Sequence, residues 1–204
     1  MAGGSWSDGS SGAWVGRTAP LPGQSFGDGW TWNLFADHFR YEYASGPRWI
    51  DGRSSAIKAG LGREMALAHG TLVAGGGVTL LHVDTSPHDP GNDADGTHAR
   101  PVVDLQWRSH PGAGIVTQGF GQYVGGARSH YAAVFAGPSL PDGTALGLQA
   151  SSGGDPTYRQ YGLALSWRGL RLADFELGIH LGGRHQEGLD TEAEAGLTLV
   201  LYRP

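Results

Sequence analysis

Strict alternation of apolar and polar residues is the feature of this sequence that most restricts its fold. In FELGIHLGG (175–183), Phe175, Leu177, Ile179 and Leu181 alternate with glycine or polar residues. A period of two residues places the two sets on opposite faces of a β-strand. The fold class therefore depends on whether the apolar face meets a protein core or a lipid bilayer.

The same alternation recurs along the chain, between clusters of Gly, Pro, Asp and Ser that indicate turns. Within 29–43 the alternation slips near Asp37 and His38, which predicts a β-bulge at that point. We predict twelve strands, the first of them very short, at 2–7, 12–20, 29–43, 53–67, 71–84, 98–109, 113–126, 129–138, 143–153, 157–168, 173–186 and 191–203.

Glycine is unusually frequent and falls on the polar side of the predicted strands. The chain has 36 glycines in 204 residues, which is more than twice the average usage of roughly 7%. A water-exposed strand face gains nothing from glycine, whereas the inside of a narrow barrel needs small residues among large ones. Those in the polar register include Gly60, Gly62, Gly162, Gly178, Gly182 and Gly196.

Aromatic residues gather towards the predicted strand ends, as in the interfacial girdles of transmembrane barrels. They are Trp14, Trp30, Trp32, Tyr41, Tyr43, Trp107, Tyr123, Tyr131, Tyr158, Trp167, Phe175 and Tyr202. The apolar row is rich in Ala and Gly and would pack a poor core. No apolar run approaches the ~20 residues that a transmembrane helix needs. We therefore predict a single all-β domain over 1–204, a transmembrane antiparallel up-and-down β-barrel of twelve strands. A soluble β-barrel or sandwich is the alternative.

In a membrane barrel the polar register faces the lumen, because lipid cannot satisfy polar groups. An even number of strands places both termini on the periplasmic side and the loops at 44–52, 86–97, 153–157 and 186–190 outside. Opposite charges in a confined lumen should pair, which favours a plugged or narrow lumen over a strongly ion-selective pore. The predicted lumen-facing polar residues are Lys58, Glu64, Arg100, Asp104, Gln106, Arg108, Gln160, Glu176, His180, Arg184, Glu192 and Glu194.

Composition argues against several functions. The net charge is −5 and no basic stripe occurs, so nucleic acid is not an expected partner. The chain has no cysteine, which rules out disulfides, thiol catalysis and zinc–thiolate sites. The segment MAGGSWSDGS has neither the basic nor the apolar region of a signal peptide, so we expect the sequence to represent a mature form.

The longest predicted loop gathers side chains that could bind Ca²⁺ through oxygen atoms. Within HDPGNDADGTH (88–98) these candidates are His88, Asp89, Asn92, Asp93, Asp95 and His98. The full spacing of a calcium loop and its final bidentate Glu are missing. We therefore favour a solvated loop, and we predict neither a metal site nor a cofactor.

Catalytic arrangements are weakly supported. No G-x-S-x-G motif occurs. His180 and Glu176 share a strand face and could form a base–acid pair, and Glu192 and Glu194 could supply the two carboxylates of a glycosidase. Hydrogen bonding and ion pairing in the lumen explain both arrangements more simply, so we predict that the protein is not an enzyme.

Contact with a polysaccharide is a more attractive prediction, because sugar rings stack on exposed aromatic faces. Trp49 and Tyr158 both lie in predicted outer loops, and the alternative for each is a place in the interfacial girdle. Nearby hydrogen-bonding groups are Arg48, Asp51, Asp155 and Arg159.

Three segments resemble the BcsS family of bacterial cellulose biosynthesis proteins. They are TAPLPGQSFGDGW (18–30), HVDTSPHDPGN (82–92) and GDPTYRQYGLALSWRGLRLADFELGIHLGGRHQEGL (154–189). The resemblance covers nearly the whole chain. It implies a protein of the bacterial outer membrane associated with cellulose production, with outer-membrane lipid, cellulose and components of the cellulose synthase complex as candidate partners. It implies no defined catalytic residues.

We therefore expect a non-enzymatic outer-membrane barrel that serves the export or surface organisation of cellulose. Two other functions stay open on the sequence. One is a membrane-embedded hydrolase acting on lipid or glycan, which would need a clustered Ser–His–acid site. The other is a general small-solute porin, which would need an open lumen.

Overall fold

The computed structural model is an all-β barrel that closes through hydrogen bonds between its first and last strands. It describes residues 1–90, 92, 95–110, 112, 114–156, 159–172, 174–187 and 190–201. Among these residues, no helix is long and apolar enough to cross a membrane. The strands in this part of the chain are β1 (Ala2–Ser7), β2 (Ser10–Pro20), β3 (Gly29–Ser45), β4 (Arg48–Leu67), β5 (Gly70–Ser86), β6 (Gly96–Ser109), β7 (Ile115–Val124), β8 (Ser129–Pro138), β9 (Ala145–Gly154), β10 (Arg159–Leu172), β11 (Phe175–Gln186) and β12 (Thr191–Leu201).

The topology is up-and-down, because every strand pairs antiparallel with its sequence neighbours and β1 pairs with β12. The predicted fold of twelve antiparallel strands is confirmed. The connections β1–β2, β3–β4, β5–β6, β7–β8, β9–β10 and β11–β12 lie at one end of the barrel, which we call the loop end. Residues 1 and 201 and the remaining connections lie at the opposite end, the terminal end.

Burial in this barrel is inverted relative to a water-soluble protein. On β10, Leu163 and Leu165 point outward and are 60% and 55% exposed, whereas Ala164 and Ser166 point inward and are 7% and 2% exposed. Other strands follow the same rule, with exposed leucine and valine outside and buried polar side chains inside. An apolar exterior around a polar interior is the distribution of a transmembrane barrel.

The outward-facing aromatic residues form two belts on either side of this apolar band. Trp30, Trp107 and Trp167 lie near the terminal end, and Trp6, Tyr123 and Tyr161 lie near the loop end. Trp107 and Trp167 donate from Nε1 to the hydroxyls of Thr117 and Thr144, at 2.9 and 3.0 Å. Amphipathic rings with one satisfied polar atom suit the level of the lipid headgroups.

The prediction was wrong for four residues assigned to the girdles. Trp14, Tyr41, Tyr43 and Tyr131 occupy inward-facing register positions and line the lumen. Val15, next to Trp14, is the outward residue and is 58% exposed. Two other residues of that predicted set, at 158 and 202, lie outside the described residues.

The predicted bulge near Asp37 and His38 is also wrong. Both strand pairings of β3 run through these residues without a shift in register. The alternation slips there because aromatic side chains occupy the inward register. The shift in register occurs instead in β10, between Trp167 and Leu170, where Gly169 has a φ of +79°. A glycine in this left-handed conformation is typical of one class of β-bulge.

Candidate functional site: the barrel lumen

Aromatic side chains line one side of the lumen, and glycines on adjacent strands make room for them. We call Trp14, Phe35, Phe39, Tyr41 and Tyr43 the aromatic wall. In each of four cases the ring occupies the space that a Cβ atom on a neighbouring glycine would need. The pairs are Trp14 with Gly3, Phe35 with Gly16, Phe39 with Gly12 and Tyr41 with Gly52. The high glycine content therefore allows rings to lie along the inside of the barrel.

The deepest ion pair in the lumen joins β4 and β6 across the intervening β5. Lys58 Nζ lies 3.6 Å from Asp104 Oδ2, and the two side chains are 9% and 3% exposed. Lys58 Nζ also lies 4.9 Å from the centre of the Phe35 ring. Gly75 on β5 makes this reach possible, since a Cβ atom there would lie 3.1 Å from Asp104 Oδ1. Lys58 therefore connects Phe35 of the aromatic wall with Asp104 on β6.

A second group of polar contacts spans the seam at which the barrel closes. Arg184 Nη2 on β11 lies 3.0 Å from Glu192 Oε2 on β12. The same carboxylate oxygen accepts hydrogen bonds from Ser7 Oγ at 2.8 Å and from the Gly9 backbone N–H at 3.3 Å. Arg184 also donates to Ser7 Oγ. These contacts tie β11, β12 and β1 together from inside.

Arg168 organises a third group of polar contacts, and it is absent from the predicted lumen residues. Its guanidinium donates to Gln118 Oε1 on β7, and to Gln149 Oε1 on β9 at 2.5 Å. It also lies 4.7 Å from the centre of the buried Phe135 ring. Arg168 was missed because it falls on the last residue of a predicted strand. The available signal was its parity, which matches that of Ser166 in the polar register.

The structure places all of the sequence-predicted lumen residues in inward-facing register positions. Glu64 Oε2 accepts a hydrogen bond from the Gly27 backbone N–H at 2.8 Å. His180 Nε2 lies 3.8 Å from Glu194 Oε1 on β12, so the acid beside this histidine is Glu194 instead of Glu176. The full set is Lys58, Glu64, Arg100, Asp104, Gln106, Arg108, Gln160, Glu176, His180, Arg184, Glu192 and Glu194.

In the described contacts, no histidine joins both a hydroxyl nucleophile and a carboxylate, as the base of a hydrolytic triad would. A serine and a histidine meet at His38 Nδ1 and Ser55 Oγ, 2.8 Å apart, on the exposed outer side of β3 and β4. The histidine–carboxylate contact in the lumen, between His180 and Glu194, lies on β11 and β12 instead. A nucleophile, a base and an acid would have to be in direct contact to act together.

The loop that follows β5 packs against the aromatic wall at the loop end. Tyr43 OH donates to Asp89 Oδ2 at 2.8 Å and accepts from Asn92 Nδ2 at 3.2 Å. Asp95 Oδ2 contacts His88 Nδ1 at 2.6 Å and accepts from Thr85 Oγ1 at 3.3 Å. These potential metal ligands are thus engaged in hydrogen bonds that shape the loop.

No group of three or more His, Cys, Asp or Glu side chains suited to a metal ion occurs in the described part of the chain. His98, another of the candidate ligands, contacts the Asp95 carbonyl oxygen through Nε2 at 2.8 Å. Asp93 lies outside the described residues.

Of the two residues predicted to contact glycan, the structure describes only Trp49. The predicted outer loop at 44–52 is wrong, because β3 runs to Ser45 and β4 begins at Arg48. Trp49 therefore lies in β4, in its outward register, and is 61% exposed at the loop end. It points away from the lumen. Tyr158 lies outside the described residues.

The closed barrel, its apolar exterior and its polar lumen define a porin-like β-barrel, and solved structures share this fold. A KdgM porin matches with a TM-score of 0.52 and 7% sequence identity, covering 99% of this chain and 98% of that chain. A KdgM porin in complex with disordered oligogalacturonate matches with a TM-score of 0.51, 8% identity and the same coverage. At such low identity the likeness concerns the fold alone.

The family assignment comes from a separate comparison. The family model of cellulose biosynthesis protein BcsS matches residues 1–197. The chain belongs to this family, which confirms the resemblance seen in the three sequence segments. None of the curated proteins matches the chain.

Proposed function

We propose that this chain is a non-enzymatic barrel of the bacterial outer membrane that serves the export or surface organisation of cellulose. Membership of the BcsS family supports the link with cellulose. The observation that carries the membrane part is the inverted burial, in which exposed leucines surround a lumen with buried ion pairs. Single-chain barrels with an even number of antiparallel strands are the architecture of bacterial outer membranes.

The non-enzymatic part of the proposal rests on how the lumen side chains are used. Several acids and bases of the lumen form ion pairs between strands, as Lys58 on β4 does with Asp104 on β6 and Arg184 on β11 with Glu192 on β12. Such pairs stabilise a barrel from inside, and they leave these groups poorly placed to exchange protons with a substrate.

For the orientation in the membrane we place both termini in the periplasm, since the even number of strands brings them to the same end of the barrel. The terminal end then faces the periplasm and the loop end faces outside. Trp49 stands at the loop end and is a candidate for contact with secreted glycan. Tyr158 stays a candidate on the sequence alone. Outer-membrane lipid covers the apolar band, and the cellulose synthase complex is the expected source of the polymer.

A genetic experiment tests the proposal directly. Cells that lack this protein should secrete less cellulose, measured as glucose released by cellulase, and the wild-type chain should restore the yield. An unchanged yield in the deletion strain would contradict a role in cellulose production.

Conductance separates the proposal from a general porin. The refolded barrel in a planar bilayer should pass a small current that cello-oligosaccharides reduce, because paired side chains narrow the lumen. A large current that cello-oligosaccharides leave unchanged would favour the porin. Release of products from lipid or cello-oligosaccharide by the purified barrel would favour a hydrolase.

A further inference from the structure

We propose that the aromatic wall is a binding track for a single chain of a neutral β-glucan, with Phe39 and Tyr41 as its central contacts. This inference rests on the proposed function, since it names how the barrel would hold the polymer. It concerns the inside of the barrel, whereas Trp49 points outward from β4.

The wall forms a continuous path because most of it lies on one strand. Inward residues of β3 recur every second position, roughly 6.6 Å apart along the strand. Phe35, Phe39, Tyr41 and Tyr43 follow this register from the middle of the barrel to the loop end. Tyr41 and Tyr43 are stacked, with ring centres 6.0 Å apart and planes at 28°. Asp37 holds the inward position between Phe35 and Phe39, beside Trp14 on β2. A polymer that enters the lumen along β3 would therefore meet Tyr43, Tyr41 and Phe39 in turn, and Trp14 at the level of Asp37.

The rings are positioned to present a face to the lumen. Phe39 and Tyr41 rest over Gly12 and Gly52, so one side of each ring is against the barrel wall. Phe39 points inward and is nevertheless 38% exposed. An apolar ring exposed inside a lumen is unfavourable unless a ligand covers it. The glycines thus support rings whose other side is available for binding.

A sugar ring is the ligand that matches such a surface. The two faces of a β-linked glucose carry C–H groups, and its edge carries hydroxyl groups. The face of an aromatic ring is electronegative and attracts C–H groups, while the phenol of Tyr41 can exchange hydrogen bonds with hydroxyls. A flat glucan chain can therefore stack along the wall and keep its polar edges in water.

A second aromatic pair lies across the lumen. Tyr131 on β8 and Phe120 on β7 have ring centres 6.2 Å apart, and Tyr131 is 39% exposed. The twelve-strand order places β8 five positions from β3, on the far side of the barrel. A chain that passes through the lumen would then have aromatic surfaces on two sides.

The charges of the lumen indicate a neutral polymer. Lys58 is held by Asp104, Arg184 by Glu192, and Arg168 by two glutamines and an aromatic ring. An acidic polysaccharide would have to displace such internal partners to gain compensation for its own charge. A neutral glucan carries no charge that needs compensation, so it can bind without breaking these ion pairs.

Calorimetric titration of the detergent-solubilised barrel with cellohexaose tests the track, and it does so whether or not the lumen conducts. The variant F39L/Y41L keeps apolar bulk but removes the flat faces. The matched control is Tyr161→Leu, an aromatic residue of the loop-end belt that points outward and is 52% exposed. We expect F39L/Y41L to bind cellohexaose roughly tenfold more weakly, the size of effect that a lost ring contact produces, and Tyr161→Leu to bind normally.

Three results would overturn the track: no binding of cellohexaose by the wild-type barrel, equal binding by F39L/Y41L and the control, or tighter binding of oligogalacturonate than of cellohexaose. Folding is checked by the heat-dependent mobility of the barrel in gels. Should the double variant not fold, the single variant Tyr41→Leu at the loop end gives the same comparison.

The genetic experiment separates failure of the track from failure of the proposed function. If the wild-type chain restores cellulose secretion and folded F39L/Y41L restores it equally, the track is wrong and the role in cellulose production stands. If the deletion itself leaves secretion unchanged, the proposed function is wrong. Loss of rescue by F39L/Y41L with full rescue by Tyr161→Leu is the result that the track predicts.

Discussion

The outer and inner faces of this barrel obey different rules, although the same strands build both. On β5, Val78 and Leu80 lie outside and are more than half exposed, while Thr79 between them is buried at 6%. Outside, a side chain needs only to be apolar, because lipid adapts to its shape. Inside, each side chain has particular neighbours, such as Gly12 beneath Phe39. The outer face should therefore tolerate changes of shape, and the inner face should not.

The largest effect is expected from breaking the buried ion pair on the inner face. Asp104→Asn leaves the ammonium of Lys58 buried without its carboxylate, which should lower the free energy of unfolding by about 3–5 kcal/mol. Urea unfolding of the barrel in liposomes, followed by tryptophan fluorescence, measures this change. The control is Asp84→Asn on the exposed outer side of β5, where we expect less than ~1 kcal/mol. Equal losses of unfolding free energy in Asp104→Asn and Asp84→Asn would contradict the distinction between the inner and outer faces.

A charge on the outer face should produce the next largest effect. Leu181 is 62% exposed in the middle of the apolar band. Leu181→Arg should lower the free energy of unfolding in liposomes by about 2–4 kcal/mol, because lipid solvates a guanidinium poorly. Gln106→Arg, at an inward position, should lower the free energy of unfolding by less, since the polar lumen can solvate the guanidinium. If Leu181→Arg is the milder change, the assignment of the faces is reversed.

Adding one methyl group to a glycine should be costly on the inner face and harmless on the outer face. Gly12→Ala forces its Cβ atom into the Phe39 ring, and we expect a loss of about 1–3 kcal/mol from overpacking. Gly121 faces outward with no atom within 4 Å of an added Cβ. Gly121→Ala should be neutral or stabilise slightly, because alanine reduces the entropy of the unfolded chain. The urea unfolding curves of Gly12→Ala and Gly121→Ala should therefore differ. Coincident curves would contradict the claim that Gly12 makes room for the Phe39 ring.

The smallest effect concerns a belt tryptophan at the terminal end. Trp167 Nε1 donates to Thr144 Oγ1, which itself donates to Asp142 Oδ1 at 2.7 Å. Trp167→Phe should lower the free energy of unfolding by about 0.5–1.5 kcal/mol through the lost hydrogen bond. Trp6→Phe, in the belt at the loop end, is the control. A larger loss in Trp6→Phe than in Trp167→Phe would contradict this assignment.

The same turn should respond weakly to acid. Hydrogen bonds from the backbone N–H and hydroxyl of Thr144 lower the pKa of Asp142 below its ordinary value of 3.8. Since the folded state favours the carboxylate, its contribution is present at neutral pH and is lost as the pH falls below that value. NMR titration of Asp142 in the refolded barrel checks the direction, and a raised pKa would contradict it.

Much of the fold was predictable because strand periodicity is a local signal. The two-residue alternation and the turn residues between segments predicted twelve strands, including the short β1. The direction in which a single aromatic residue points is harder to predict. Trp14 and Tyr41 lie near the ends of their predicted strands, 12–20 and 29–43, where an outward girdle residue and an inward wall residue look alike. Only the cross-strand register, which brings Gly3 to Trp14 and Gly52 to Tyr41, distinguishes them.

The same reason explains the other misses at the site. Arg168 is joined to Gln118 and Gln149 by contacts across several strands, and the sequence of β10 does not reveal them. The bulge was predicted at Asp37 because a change from polar to aromatic inward residues imitates a slip in register. Gly169, in the true bulge, was the better local signal.

Quenching of tryptophan fluorescence by brominated lipids tests the central claim most directly, which is that lipid surrounds the apolar face and the polar face is enclosed. Two variants would each keep one tryptophan, Trp167 on the outside or Trp14 in the lumen, with the remaining six replaced by phenylalanine. In liposomes, brominated acyl chains should quench Trp167 strongly and leave Trp14 nearly unchanged. Strong quenching of Trp14 with a protected Trp167, or a barrel that stays folded and monomeric in buffer without lipid or detergent, would contradict the account.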